Sequence, residues 1–321
     1  MRTYSFGVET IPVAAAGDLL IGSVHDGKNY RIMLARISGD EILEIRFLTG
    51  EGDWEGHSIA RINGGYLIGG AAEGMATPDG GEGWKAYVAR LDENLNLLWE
   101  RKIEIRGNGC VYSILPAGDS IFIAGDTGRA GNRGFFVGKL SVDGELLWLK
   151  DFSSWEDAMT ASLIHGEMPK LIGSVKDGRW KVIAFDFDSD GNFLGQETIA
   201  EGGIALIATI WEDKLILAGY KGDDLWVWSR EWEVTHPNGA ATSVLPLEDG
   251  LLVGGELKGT ALVMKFDSHG KILWKKPLWE RGWVEVPTRE IAAGLKEEDG
   301  KTVMIVEMLG GFLNETYNPE R

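Results

Sequence analysis

The feature that most constrains this chain is an internal repeat. Three windows carry it in full: GGYLIGGAAEGMATPDGGEGWKAYVARLDENLNLLWERKI from Gly64, GDSIFIAGDTGRAGNRGFFVGKLSVDGELLWLKDF from Gly118, and DGLLVGGELKGTALVMKFDSHGKILWKKPL from Asp249. Each opens with a short apolar strand that ends at glycine. A polar loop follows, then a second apolar strand that runs into a basic residue. A tight turn leads to a strand bearing Trp99, Trp148 or Trp274. The glycine-ended strand recurs as LLIG at Leu19, YLIG at Tyr66, IFIAG at Ile121, LIG at Leu171, LILAG at Leu215 and LLVG at Leu251, with VMIV at Val303 read as a seventh copy. Another apolar strand precedes each copy, as in HSIARI from His57, CVYSIL from Cys110 and ATSVLP from Ala241. Four short strands in a unit of about 46 residues describe one blade of a β-propeller.

The ends of the chain suit a closed ring. Three strands are expected after Trp283, near Ile291–Leu295, Thr302–Met308 and Phe312–Tyr317, and one unassigned strand, Thr3–Glu9, precedes the first full unit. One plus three completes a seventh blade and removes exposed sheet edges. The expected fold is therefore all-β: a seven-bladed β-propeller of four-stranded blades, one domain over residues 1–321, closed by the N-terminal strand. Length alone would allow two domains, but large all-β folds often run longer as one.

The pattern SI…GGYLIGG…VARLD…W resembles the bacterial and archaeal repeat propellers, and more distantly the quinoprotein-like ones, over nearly the whole chain. That resemblance implies a fold and, as a use, a binding platform, with enzymes a minority. The turn-plus-Trp element is also similar to the Asp-box of sialidases, but DGELLW and DSHGKILW depart from its spacing.

The formal charge of −17 opposes general nucleic-acid binding and docking on anionic membranes. Cys110 is the single cysteine, so no intramolecular disulfide and no cysteine-based zinc site can form. The start lacks a basic end followed by a long apolar run, so it does not read as a signal peptide, and no run matches a membrane span. A soluble, cytoplasmic protein is expected.

Several short motifs lose their meaning inside the repeat. GSVHDGKN, from Gly22, nearly matches a phosphate-binding loop, but GSVKDGRW at Gly173 is the same element elsewhere, and both read as Asp-Gly turns between strands. DFDSDGNFLGQE, from Asp186, fits a twelve-residue calcium loop letter for letter. In the repeat it is a strand, a turn and a strand, with Asp186 opposite Phe193 and Glu197 opposite Val182. Glu197 then stands ~13 Å from Asp186 and cannot close one coordination shell. Calcium held by Asp186, Asp188 and Asp190 stays as the lesser reading, and no other cofactor is expected. The histidines lack metal-ligand spacing; His57 begins a first strand and can face the channel, with a structural role preferred. Asn314-Glu315-Thr316 is a glycosylation sequon set in an expected strand and is given no weight.

Strand order assigns each loop to one end of a propeller. The turns at one end are short and acidic. The other end carries longer loops with Lys, Arg and the unrepeated Trp residues, where binding residues usually sit. The candidates there are Trp54, His57, Lys85, Arg129, Arg133, Trp155, Arg179 and Trp283. The three Trp also read as loop anchors packed on their own sheet. The favoured function is a non-catalytic binding module or scaffold that takes a protein partner, or an anionic or sugar-like ligand, at this end. The alternatives are a hydrolase or lyase using carboxylates such as Asp53, Asp126 or Asp157, and a metal or small-ligand sensor.

Overall fold

A computed structural model describes residues 1–74, 83–129, 131–166 and 168–309. Its strands form six sheets. Five are four-stranded antiparallel meanders: β6–β9 (53–103), β10–β13 (109–152), β14–β17 (157–201), β18–β21 (204–236) and β22–β25 (239–280). The sixth has eight strands. Along it run β26 (Gly282–Pro287), β27 (Ile291–Glu298), β28 (Lys301–Met308), β2 (Glu9–Ala16), β3 (Leu19–His25), β4 (Tyr30–Ser38) and β5 (Glu41–Leu48). Strand β1 (Arg2–Tyr4) pairs antiparallel with β28, and a single parallel bridge from Glu9 to Thr302 joins β2 to β28. Among the described residues no helix is long and apolar enough to cross a membrane.

The seven first strands are β2, β6 (Asp53–Ile62), β10 (Gly109–Ala117), β14 (Asp157–Ile164), β18 (Ile204–Trp211), β22 (Gly239–Leu247) and β26. They touch in succession, β2 with β6, β6 with β10, and onward to β22 with β26 and β26 with β2. Apolar clusters fill the space between neighbouring sheets. One of them packs Phe135 and Val137 of the second meander against Ile183 and Phe185 of the next.

One device explains the recurring glycine. Every first strand carries a β-bulge, and the residue skipped by the ladder is Val13, His57, Tyr112, Ala161, Leu206, Thr242 or Glu285. The residue before it always pairs with the repeat glycine of the second strand: Gly22, Gly70, Gly125, Gly173, Gly219, Gly255 or Gly294. The bulge drives a first-strand carbonyl against that glycine. A Cβ there would stand 1.9 Å from the Glu55 oxygen at Gly70 and 1.7 Å from the Cys110 oxygen at Gly125. Only glycine tolerates this approach. The serines that follow several bulges stitch neighbouring sheets. Ser58 donates to the carbonyl of Val111 (3.2 Å), while Ser113 and Ser162 accept from the amides of Leu163 and Ala208 (both 2.9 Å).

The last unit differs from the sequence expectation. VMIV at Val303 lies in β28, a third strand. The seventh glycine copy is IAAG at Ile291, because Gly294 is the residue that faces a bulge. The C-terminal strands of this unit are β26 to β28, beginning at Gly282; the expected strand at Phe312–Tyr317 and the Asn314 sequon lie outside the described residues. The unassigned Thr3–Glu9 segment divides into β1 and the first residue of β2.

A second stitch runs along the other end of the sheets. The indole N–H groups of Trp99, Trp148 and Trp232 donate to the carbonyls of Val142, Ser189 and Ser268 in the next sheet's turn, at 3.2, 3.0 and 3.2 Å. Each ring covers the turn glycine, Gly144, Gly191 or Gly270, leaving no room for a side chain. This places DFDSDGNFLGQE. Asp188 accepts the amides of Asp190 and Asn192, as Asp92 and Asp267 do in their own turns. Asp186 pairs with Lys170 at 2.8 Å, a reversal of the Arg36–Asp18 and Lys265–Asp249 pairs of other sheets. The turn places Phe193 opposite Phe187, one position from the sequence expectation, and a second bulge adds one more, so Asp186 lies opposite Gly195 and Glu197 opposite Ala184.

Candidate functional site

Residues two apart on a strand share a face. Each bulged residue therefore shares its face with the residue two before it. Around the seven first strands the outer of these two levels reads Ile11, Glu55, Cys110, Met159, Ile204, Ala240 and Trp283. The bulge level reads Val13, His57, Tyr112, Ala161, Leu206, Thr242 and Glu285. Apart from Thr242, the polar and reactive side chains all fall on β26, β6 and β10. The repeat supplies the geometry and three of its copies supply the chemistry.

On β6 and β10 four side chains form a two-by-two array. His57 Nε2 lies 3.1 Å from Glu55 Oε2, and the imidazole and phenol rings of His57 and Tyr112 are 4.8 Å apart. Cys110 stands one level from Tyr112 on the same face of β10 and interacts electrostatically with both rings' ionisable groups. Burial works against a charge on His57, but Cys110 and Glu55 outweigh it and raise the imidazole to about 10. Cys110 and burial together push the Tyr112 phenol well up. On β26, burial pushes Glu285 up to about 7; the Trp283 indole N–H bonded to it and the charge of His57 pull it partly back.

A cavity of about 470 Å³ opens beside this array, lined by Glu55, Cys110, Tyr112, Trp84, Asp126, Arg129 and Arg133 among others. Asp126 is the cross-strand partner of Cys110. Burial pushes its carboxyl up to about 6, against the pull of the Thr160 amide at 2.6 Å and of nearby Arg133. Arg133 itself grips Asp157 with two guanidinium bonds of 2.9 and 2.8 Å and adds its backbone N–H at 3.0 Å. The site thus holds donors and acceptors of both signs in a partly enclosed space. Among the described residues no group of three or more His, Cys, Asp and Glu side chains is placed to hold a metal ion.

The candidates from sequence scatter. Arg129 and Arg133 line the cavity, and His57 and Trp283 lie on the bulge face. Trp54 is 3% exposed; its ring meets Tyr87 at 5.1 Å and its N–H meets the Glu51 carbonyl. Trp155 packs against Phe135 and Phe185 at 5.5 and 5.4 Å. Lys85 pairs with Glu73 at 2.8 Å, and Arg179 points outward to Glu201. Asp53 and Asp157 are stitches: each accepts a third-strand amide of the preceding sheet, from Tyr30 and Arg133. Sequence reasoning missed Glu55, Cys110 and Tyr112. Alignment on the serine in EGHS and CVYS would have placed them on the bulge face.

No protein-family model matches the chain, and no curated protein matches it. Among solved structures it is similar to a putative 6-phosphogluconolactonase from Bacteroides fragilis, at 12% identity and TM-score 0.55, covering 94% of this chain and 92% of that one. It is also similar to a quinonprotein alcohol dehydrogenase-like protein from Bacteroides thetaiotaomicron, at 9% identity and TM-score 0.53, covering 86% and 67%. A third similar structure is a puromycin hydrolase, at 13% identity and TM-score 0.57; the match takes in 98% of this chain but only 55% of that one. At such identities the likeness concerns the fold alone. Successive four-stranded meanders joined through their first strands, together with these likenesses, define a β-propeller.

Proposed function

We propose that the chain is one propeller domain of seven blades and acts as a binding module for a small hydroxylated anion of the sugar-acid class. The ring reading counts the eight-stranded sheet as two blades, the last completed by β1 on β28, and is supported by the cycle of first-strand contacts. The observation that carries the ligand reading is the gathering of polar groups at the two bulge-face levels of β26, β6 and β10, where the other first strands present apolar side chains apart from Thr242. Arg129 and Arg133 suit a carboxylate, and Glu55, Asp126 and Tyr112 suit hydroxyl groups. Calorimetric titration with glucuronate and gluconate is the test. Binding that disappears in the Arg129→Met, Tyr112→Phe double variant supports the reading; no heat with the unaltered chain sinks it.

A protein partner is the second reading, and it moves to the short-turn end. Exposed apolar pairs open the fourth strands of three consecutive sheets: Leu97 and Leu98, Leu146 and Leu147, Phe193 and Leu194. Replacing Leu98, Leu147 and Leu194 with Glu would abolish capture of such a partner and leave ligand titration intact. Capture that survives the triple change rejects this surface.

A further inference from the structure

We propose that Cys110 is a nucleophile that accepts acyl groups from small esters or thioesters in the cavity, with His57 carrying its proton and Glu55 as the residue that positions the imidazole. This rests on reading the cavity as the ligand site. Glu55 and Cys110 hold one level of neighbouring first strands, His57 and Tyr112 the next, so the repeat brings nucleophile, base and orienting carboxylate together. Cys110 lines the cavity with Glu55, Asp126 and Tyr112. His57, outside that lining, is fixed by Glu55 at 3.1 Å and by the Tyr112 ring. A nucleophile next to a base that a third group orients is the arrangement acyl transfer requires.

In the first step the Cys110 thiolate, whose proton His57 already holds, bonds to the acyl carbon. The carbon–oxygen or carbon–sulfur bond to the leaving group breaks, and the leaving group takes the proton from His57. Water then attacks the S-acyl carbon, giving one proton to His57. The carbon–sulfur bond breaks and the thiolate departs while that proton stays on His57, leaving a free acid. Glu55, Cys110, Tyr112 and Glu285 are the titratable groups facing His57, and together they set the pH dependence of both steps.

The test uses the full chain and p-nitrophenyl acetate. The expected result is a burst of about one p-nitrophenol per chain with the acetyl mass on Cys110, absent in Cys110→Ala and slowed roughly 100-fold in His57→Gln, the usual weight of a general base. Glu55→Gln should keep the burst and displace its pH profile; an unmoved profile rejects the positioning role. Acetylation spread over other side chains, unchanged in Cys110→Ala, overturns the proposal. If His57→Gln does not fold, iodoacetamide labelling of the single cysteine decides: a rate nearly flat from pH 6 to 8 supports it, and a rise of about tenfold per pH unit overturns it. Glucuronate binding without acetylation of Cys110 defeats only the nucleophile, whereas loss of both defeats the cavity as a ligand site.

Discussion

His57 and Glu55 face each other at 3.1 Å although only one residue separates them on β6. A flat strand would send both side chains off the same face without setting this contact. The bulge at His57 turns the imidazole toward Tyr112 of the next sheet and lets the carboxylate reach back to it. The same bulge presents Val13, Ala161 and Leu206 on three other first strands, where no such bond can form, whereas on β26 it sets the Glu285 carboxylate against the Trp283 indole N–H.

The glycine opposite each bulge should be irreplaceable. Gly125→Ala would set a Cβ 1.7 Å from the Cys110 oxygen and 2.7 Å from the Phe136 ring. A loss of about 3 kcal/mol or more is expected from the forced backbone shift. Gly195→Ala, where a Cβ meets nothing within 4 Å, should be neutral or slightly stabilising. Urea unfolding of the two variants checks the contrast; equal midpoints would remove the close approach as the cause.

Arg133 and Arg179 were equivalent as sequence candidates and should differ widely in their effect on stability. Arg133→Met leaves the buried Asp157 carboxylate without its bidentate partner and should cost roughly 3 kcal/mol. Arg179→Met breaks an ion pair in which the arginine side chain is 75% exposed and should cost under about 1 kcal/mol. Denaturant midpoints of the two variants measure both.

Trp148 binds its neighbour sheet in two ways that substitution can separate. Trp148→Phe removes the N–H bond to the Ser189 carbonyl but keeps an aromatic ring over Gly191, for about 1 kcal/mol. Trp148→Ala also uncovers the glycine and the Phe122 edge, and should cost about 3 kcal/mol. Thermal unfolding that ranks Phe below Ala would contradict this division.

Glu285 should make the protein less stable as pH rises. Its folded pKa of about 7 lies above the unfolded value of 4.5, so the folded state holds the proton longer. Below pH 4.5 both states are protonated and no difference arises. Between 4.5 and 7 the unfolded chain gains by ionising while the folded one does not, and stability falls by on the order of 2 kcal/mol. His57, raised from 6.5 to about 10, adds stability below 6.5 that is lost through 10, so the windows adjoin rather than coincide. Glu285→Gln should flatten the curve between pH 5 and 7 and leave the alkaline limb alone. Urea midpoints across that range provide the measurement.

Much of this was legible in the sequence. Strand content, the four-strand unit and the turn chemistry at Asp26, Asp92 and Asp188 follow from local apolar runs, glycine and Asx geometry, which act over a few residues. The glycine of LLIG and IFIAG was visible as a repeat, but its reason was not, since the carbonyl it accommodates belongs to another strand. The misread copy at Val303 has the same origin: VMIV has the right composition, and only pairing shows that Gly294, not Val303, faces a bulge. The site was least legible. Trp54, Trp155 and Arg179 stood out as residue types in loops, yet packing buries the first, half-buries the second, and leaves the third exposed to solvent. Glu55, Cys110 and Tyr112 look unremarkable in sequence because each is ordinary within its own strand. The residues alone determined that strands would form and roughly where each would turn. Only the tertiary structure decided which side chains meet, because a contact between β6 and β10 depends on the bulge that rotates each strand and on how neighbouring sheets pack against one another.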